Sequence, residues 1–170
     1  MRQLIVETVH TLKVTPYVAP NRISLVAKEA DAKVDSAEGA LTAHFSAMKV
    51  GSTDWFLRTW VSSSSESTKL RMFKGGKNSQ AVAAQWAKNF TPNTSIELVN
   101  QVEVGSFLLI EYRFMRGKAV ELQDTVALKK TAQGWRLTQE LASDPILSHW
   151  NEPTGRVMVP SELLQRTMIK

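Results

Sequence analysis

Four polar residues, Asn100, Tyr112, Asp124 and Gln139, interrupt apolar rows that alternate with period two. In "SIELVNQVEV" the row is Ile96, Leu98, Asn100, Val102 and Val104, and in "SFLLIEYRFM" it is Leu108, Ile110, Tyr112 and Phe114. In "AVELQDTVALKK" Asp124 stands among Val120, Leu122, Val126 and Leu128. In "GWRLTQEL" Gln139 lies between Leu137 and Leu141, with Trp135 on the same parity. Period two marks half-buried strands, so each of four strands is expected to turn one polar group toward its apolar side. Burying such a group unpaired costs a few kcal/mol, and an ionised carboxylate costs more. The four must satisfy one another, hold water or meet a ligand. An apolar cavity with a few convergent polar groups is the usual form of a small-molecule site.

Asp124 carries the most chemistry. Buried, its pKa would rise, and it would serve as a general base or as a hydrogen-bond-donating acid, with Tyr112 as a second donor. A structural role stands beside that one. The carboxylate accepts bonds from Tyr112, Asn100 or a helix group and fixes the packing, or a bulge rotates it to solvent, since a slip of one residue exchanges the faces of a strand. Asn100 and Gln139 are candidate ligand contacts, as are His44 on the first helix and the indoles of Trp60 and Trp135. His44 reads more readily as a satisfied, half-buried histidine than as a pocket residue. No histidine pair has the spacing of a zinc site, and nothing points to a metal or a cofactor. "KGGKNS" lacks the spacing of a phosphate loop, and the Ser62–Ser65 run has no adjacent base and reads as linker.

The elements that must position these groups fall in two blocks. Residues 2–29 read as extended, broken at Pro16 and Pro20. Asp35 or Ser36 caps a first helix with Ala37, Leu41, Phe45 and Met48 at helical spacing, ended by Gly51. Ser52 or Thr53 opens a short second helix bearing Trp55, Phe56 and Trp60. "SSSSES" is expected to be a loop, with one helical turn after it. "NSQAVAAQWAKNF" gives a further helix with Val82, Trp86 and Phe90 at intervals of four. From Ser95 onward four strands joined by short turns form an antiparallel meander. The fold class is α+β, with helices first and sheet second. The tail after Asp144 has an extended piece and a last helical turn from Ser161.

Composition narrows the partners. Of 170 residues, 43% are hydrophobic and 22% charged, as in ordinary globular domains. The net charge is +5 and the pI about 9.6, but the densest basic cluster, Lys69, Arg71, Lys74 and Lys77, has one aromatic and reads as a solvated face. No nucleic-acid partner is expected. No apolar run reaches the length of a membrane span, and the N-terminus lacks the apolar core of a signal peptide, so the expectation is a cytoplasmic chain, with the periplasm open. Cysteine is absent, which excludes disulfides and thiolate chemistry.

"SAEGALTAHFSAMKVGSTDWFLRTW" resembles the opening helix pair of the NTF2-like (cystatin-like α+β cone, SnoaL-like) superfamily, and "VALKKTAQGWRLTQEL" resembles its closing hairpin. The resemblance covers roughly residues 35–142. It implies a single domain over 1–170, with 1–34 and 143–170 as additions. It also implies a strongly curved sheet wrapped round the helices, with a pocket between them for a small, largely apolar ligand. Members include isomerases, dehydratases, hydrolases and binding modules without chemistry, and many are homodimers through the sheet. The outer parity of the second strand, Phe107, Leu109, Glu111, Arg113 and Met115, suits a dimer contact and equally suits cover by the chain's own ends. Fold alone does not choose among ligand binding, catalysis through Asp124, and a scaffold role.

Overall fold

The computed structural model describes residues 9–144, 146–150 and 156–158. Strands β1 (Val9–Thr11) and β2 (Val14–Pro16) and a 3-10 turn at Glu29–Asp31 come first. Four helices follow: α1 (Ala37–Val50), α2 (Thr53–Arg58), α3 (Ser62–Met72) and α4 (Ser79–Ala87). The meander is β3 (Thr94–Val104), β4 (Phe107–Arg116), β5 (Ala119–Thr131) and β6 (Gly134–Thr138), and α5 (Ile146–His149) and β7 (Arg156–Met158) close the described chain. The architecture is α+β, with an open five-stranded antiparallel sheet in the order β2-β3-β4-β5-β6. β1 and β7 form a separate pair. The extended reading of residues 2–8 and the helical turn from Ser161 lie outside the described residues.

Helix α1 starts where its signals place it. Ser36 accepts the Gly39 N–H at 3.0 Å, which satisfies one of the free donors of the first turn. One stripe of α1, Ala37, Ala40, Leu41 and Phe45, packs on Ile96, Leu98, Ile110, Phe114, Leu128 and Leu137 of the sheet. The small residues Ala43 and Ala47 face Trp55 and Phe56 of α2, so the helix is buried on two sides. Helices α2 and α4 are capped the same way, by Ser52 and Asn78.

The expected serine loop is instead the start of α3. Only Ser64 and Thr68 of this helix are buried, one turn apart, and both hold the residue after β6. Ser64 Oγ accepts the Gln139 N–H at 2.9 Å, and Thr68 Oγ1 accepts from Gln139 Nε2 at 3.0 Å. Polar bonds seat this helix where an apolar stripe usually would.

Two bulges decide which side chains face the helices. In β3 the register shifts between Leu98 and Asn100, and in the β4–β5 pair it shifts between Phe114 and Met115, where Glu121 is skipped. A bulge inserts one residue and exchanges the faces of everything beyond it. Ile96 and Leu98 therefore lie under α1, while Val102 and Val104 join Leu109 and Ala127 on the outer face. That outer face is covered by Leu141, Ile146 and Trp150, with Leu12 and Phe107 at its margin. Over this area the chain's own C-terminal segment occupies the surface that the sequence pattern offers for a dimer contact.

The segment before α1 is gripped from both sides. A Cβ on Gly39 would strike the Lys33 carbonyl oxygen, and one on Gly134 would strike the Val34 carbonyl oxygen. Gly134 also sits at φ 99°, where side chains are strained, and the next N–H, of Trp135, donates to Val34 O at 2.7 Å. Gly134→Ala is expected to lower stability by about 1–3 kcal/mol through this strain and clash. A thermal melt unchanged from wild type would show that the segment yields.

Candidate functional site

The four polar groups do not converge. Asn100 lies beyond the β3 bulge and faces outward, which corrects the single-face reading of this strand. Its Nδ2 donates to Glu111 Oε2 at 2.8 Å. Glu111 is only 3% exposed, and its other oxygen accepts from Gln123 Nε2, whose own oxygen accepts from Arg113 Nε at 2.9 Å. Gln139 is committed to α3 through the bonds to Ser64 and Thr68. These two residues fix packing.

Tyr112 and Asp124 are cross-strand neighbours on the helix-facing side of β4 and β5. Tyr112 packs edge-on against Phe45, with ring centroids 5.1 Å apart. Burial, and secondarily the Asp124 charge, pushes its phenol up to about 12, so it stays protonated and keeps its O–H as a donor. Asp124 is exposed, and its Oδ1 accepts the Thr125 N–H at 2.7 Å. The carboxylate lies in water at the sheet margin.

His44 sits in an aromatic nest, its ring centroid 4.6 Å from Phe56, 5.3 Å from Phe45 and 5.6 Å from Trp60. Thr59 Oγ1 donates to Phe56 O at 2.6 Å, so it must accept from His44 Nδ1 at 3.0 Å. The proton is thereby assigned to Nδ1. Burial, with the residue 8% exposed, drives its pKa down to about 3, and the ring is neutral. Phe45, Tyr112, Phe114 and Phe90 fill the adjoining space beneath α1.

Open volume lies elsewhere, at the junction of α2, α3 and the β5–β6 hairpin. One cavity of about 450 Å³ is bordered by Leu57, Trp60, Val61, Ser62, Gln133 and Arg136, among others. A second, of about 150 Å³, is bordered by Ala43, Trp55, Thr59 and Trp135. Arg58 and Arg136 border both. Arg58 makes a bidentate pair with Glu29, at 2.8 and 2.5 Å, which holds the Glu29 carboxyl below the usual range, with a lesser contribution from Arg136. Arg136 bonds the Trp135 carbonyl at 2.8 Å and has no carboxylate partner among the described residues. Trp60 Nε1 is the one buried side-chain polar atom without a hydrogen-bond partner among the described residues. Trp60 and Trp135 thus border open space, whereas Asn100 and Gln139 border neither of these two cavities. Nothing in the local pattern marks Arg58, Arg136 or Glu29, because their meeting depends on where the hairpin lands against the helices.

Among the described residues no cluster of three or more His, Cys, Asp or Glu side chains could hold a metal, and no helix is long and apolar enough to cross a membrane. Fold and site define an α+β domain with helices laid on one face of an open antiparallel sheet and a cleft at its helix–hairpin corner. Comparison with protein-family models, curated proteins and solved structures finds no match to this chain.

Proposed function

We propose that the chain is an NTF2-like domain that binds a small ligand in the cleft beside Trp60 and Arg136. The order of helices and meander, with α1 laid across the sheet, is compatible with that family's cone. The observation that carries the binding reading is the pair of cavities that share Arg58 and Arg136. The larger cavity is of ligand size, and it joins an apolar wall of Leu57, Trp60 and Val61 to a few polar groups. A small, largely apolar molecule with one polar end suits it. The filled interior beneath α1 does not offer such room, so the ligand is placed at the corner of the sheet.

Isotope-labelled protein titrated with a library of small aromatic and aliphatic fragments tests this reading. Binders are expected to shift the indole N–H signal of Trp60, and Arg136→Ala to weaken those with a polar end by about tenfold, the worth of one hydrogen bond to a charged group. If the fragments that bind leave Trp60 and Trp135 unmoved and ignore Arg136→Ala, the site lies elsewhere.

A further inference from the structure

The net charge of the chain sits in one place. Of its 21 Lys and Arg residues, five (Lys69, Arg71, Lys74, Lys77 and Lys88) lie in residues 67–96, which hold no Asp or Glu. The other 16 are matched by all 16 Asp and Glu, so this stretch alone carries the +5. The five stand in the last turn of α3, in the turn after it and at the end of α4. All five are exposed, and none has a carboxylate within ion-pair distance among the described residues. Lys77 Nζ reaches a neutral acceptor, Gln85 Oε1, at 3.3 Å. A Cβ at Gly75 or Gly76 would meet nothing within 4 Å, so the turn bearing Lys74 and Lys77 stands clear of the fold.

A solvated basic face accounts for these charges but not for Leu70, which is 74% exposed in their midst. On the α3 wheel Leu70 lies nearly opposite the buried Ser64 and Thr68, so it points away from the protein, with Lys69 and Arg71 on its two sides. We propose that the end of α3 and the turn after it form a contact surface for an anionic lipid bilayer. Leu70 enters the acyl boundary, and the basic residues meet the headgroups. An aliphatic tip flanked by cations matches a surface that is anionic on top and apolar beneath. Duplex nucleic acid draws on the cations alone, and single strands ask for exposed aromatics to stack on. The aromatics of this stretch, Phe73, Trp86 and Phe90, are all partly buried. The surface is separate from the cleft, which meets α3 at Ser62, Ser65 and Glu66.

Co-sedimentation with vesicles of one-third phosphatidylserine in phosphatidylcholine is the test, with circular dichroism to verify the fold of each variant. Wild type is expected to bind these vesicles, to ignore pure phosphatidylcholine, and to be released in about 1 M salt, where the screening length is about 3 Å. Changing Lys69, Arg71 and Lys74 together to Gln should weaken binding about 100-fold, since each cation near such a surface is worth about fivefold. Leu70→Ser should weaken it about tenfold while leaving the charge unchanged. Changing Lys28, Lys33 and Lys118 to Gln removes the same charge from exposed positions elsewhere and should cost a small part of that loss. The proposal is overturned if wild type does not prefer the anionic vesicles, or if the two triple variants lose binding alike. It is also overturned if Leu70→Ser binds vesicles as wild type does. A protein that holds a DNA duplex more tightly than the vesicles, with no dependence on Leu70, would make this a nucleic-acid surface instead.

Discussion

Between pH 7 and pH 5 the protein is expected to lose about 2 kcal/mol of stability through His44 alone. The ring is buried among Phe45, Phe56 and Trp60, and its pKa falls from the ordinary 6.5 to about 3. A histidine whose folded pKa is depressed binds its proton more readily in the unfolded chain. Below pH 6.5 the unfolded state therefore holds more protons than the native state, and stability falls as pH falls. The loss starts near 6.5 and continues toward 3. Since the folded value lies far below 5, the loss at pH 5 is set by the unfolded-state titration. Urea unfolding of wild type and His44→Asn at both pH values measures it. The asparagine can donate to Thr59 but does not titrate, so its curve should be flatter by about 2 kcal/mol, although its absolute stability is lower. His10 and His149 are common to both proteins and cancel. Equal pH slopes in the two proteins would mean that His44 is protonated in place.

Trp150→Ala is expected to be the more damaging change at neutral pH, at about 3–5 kcal/mol. Trp150 is 2% exposed and packs with Leu141 and Ile146 over Val102, Val104, Leu109 and Ala127. Its Nε1 donates to Thr125 Oγ1 at 3.3 Å, a long bond that contributes little beside the lost packing. The variant should also bind a hydrophobic dye, because the outer face of β3, β4 and β5 would lose its cover. Trp150→Phe keeps most of the apolar area and should recover more than half of the loss. A Trp150→Ala protein within about 1 kcal/mol of wild type would show that the segment contributes little cover, since surface substitutions usually cost less than that.

The legible parts of the fold were those written in side-chain periodicity. Leu41 and Phe45 of α1, the short turns of the meander and the caps at Ser36 and Ser52 all act through neighbours a few residues away. Helix α3 was not legible, because its seating depends on Ser64 and Thr68 meeting Gln139 across the fold, and hydroxyls leave no apolar stripe. The faces of the sheet were half legible. Alternation in β3 holds on each side of the shift at Val99, but nothing in the residues announces the shift, and it carries Asn100 from one face to the other. The cleft suffered the same limit. Trp60 and Trp135 could be named as aromatics from the sequence, whereas Arg58 and Arg136 come to border the same cavities only where the hairpin meets α2. Asp124 was legible as a charge in an apolar row, but β6 is too short to cover the strand there and leaves it exposed, and strand length is not encoded in parity.

The grip on Lys33 and Val34 bears on the order in which the chain can fold. One jaw is the first turn of α1 and the other is the turn between the last two strands of the meander, so the two arrive from distant parts of the sequence. Helix α1 can form early from local contacts, but its entry cannot be latched until the final hairpin exists. Contacts of such long sequence separation slow folding, because the intervening chain must be closed before they return any free energy. The entry to α1 in a nascent chain would thus stay unlatched until the hairpin at Gly134 has been made.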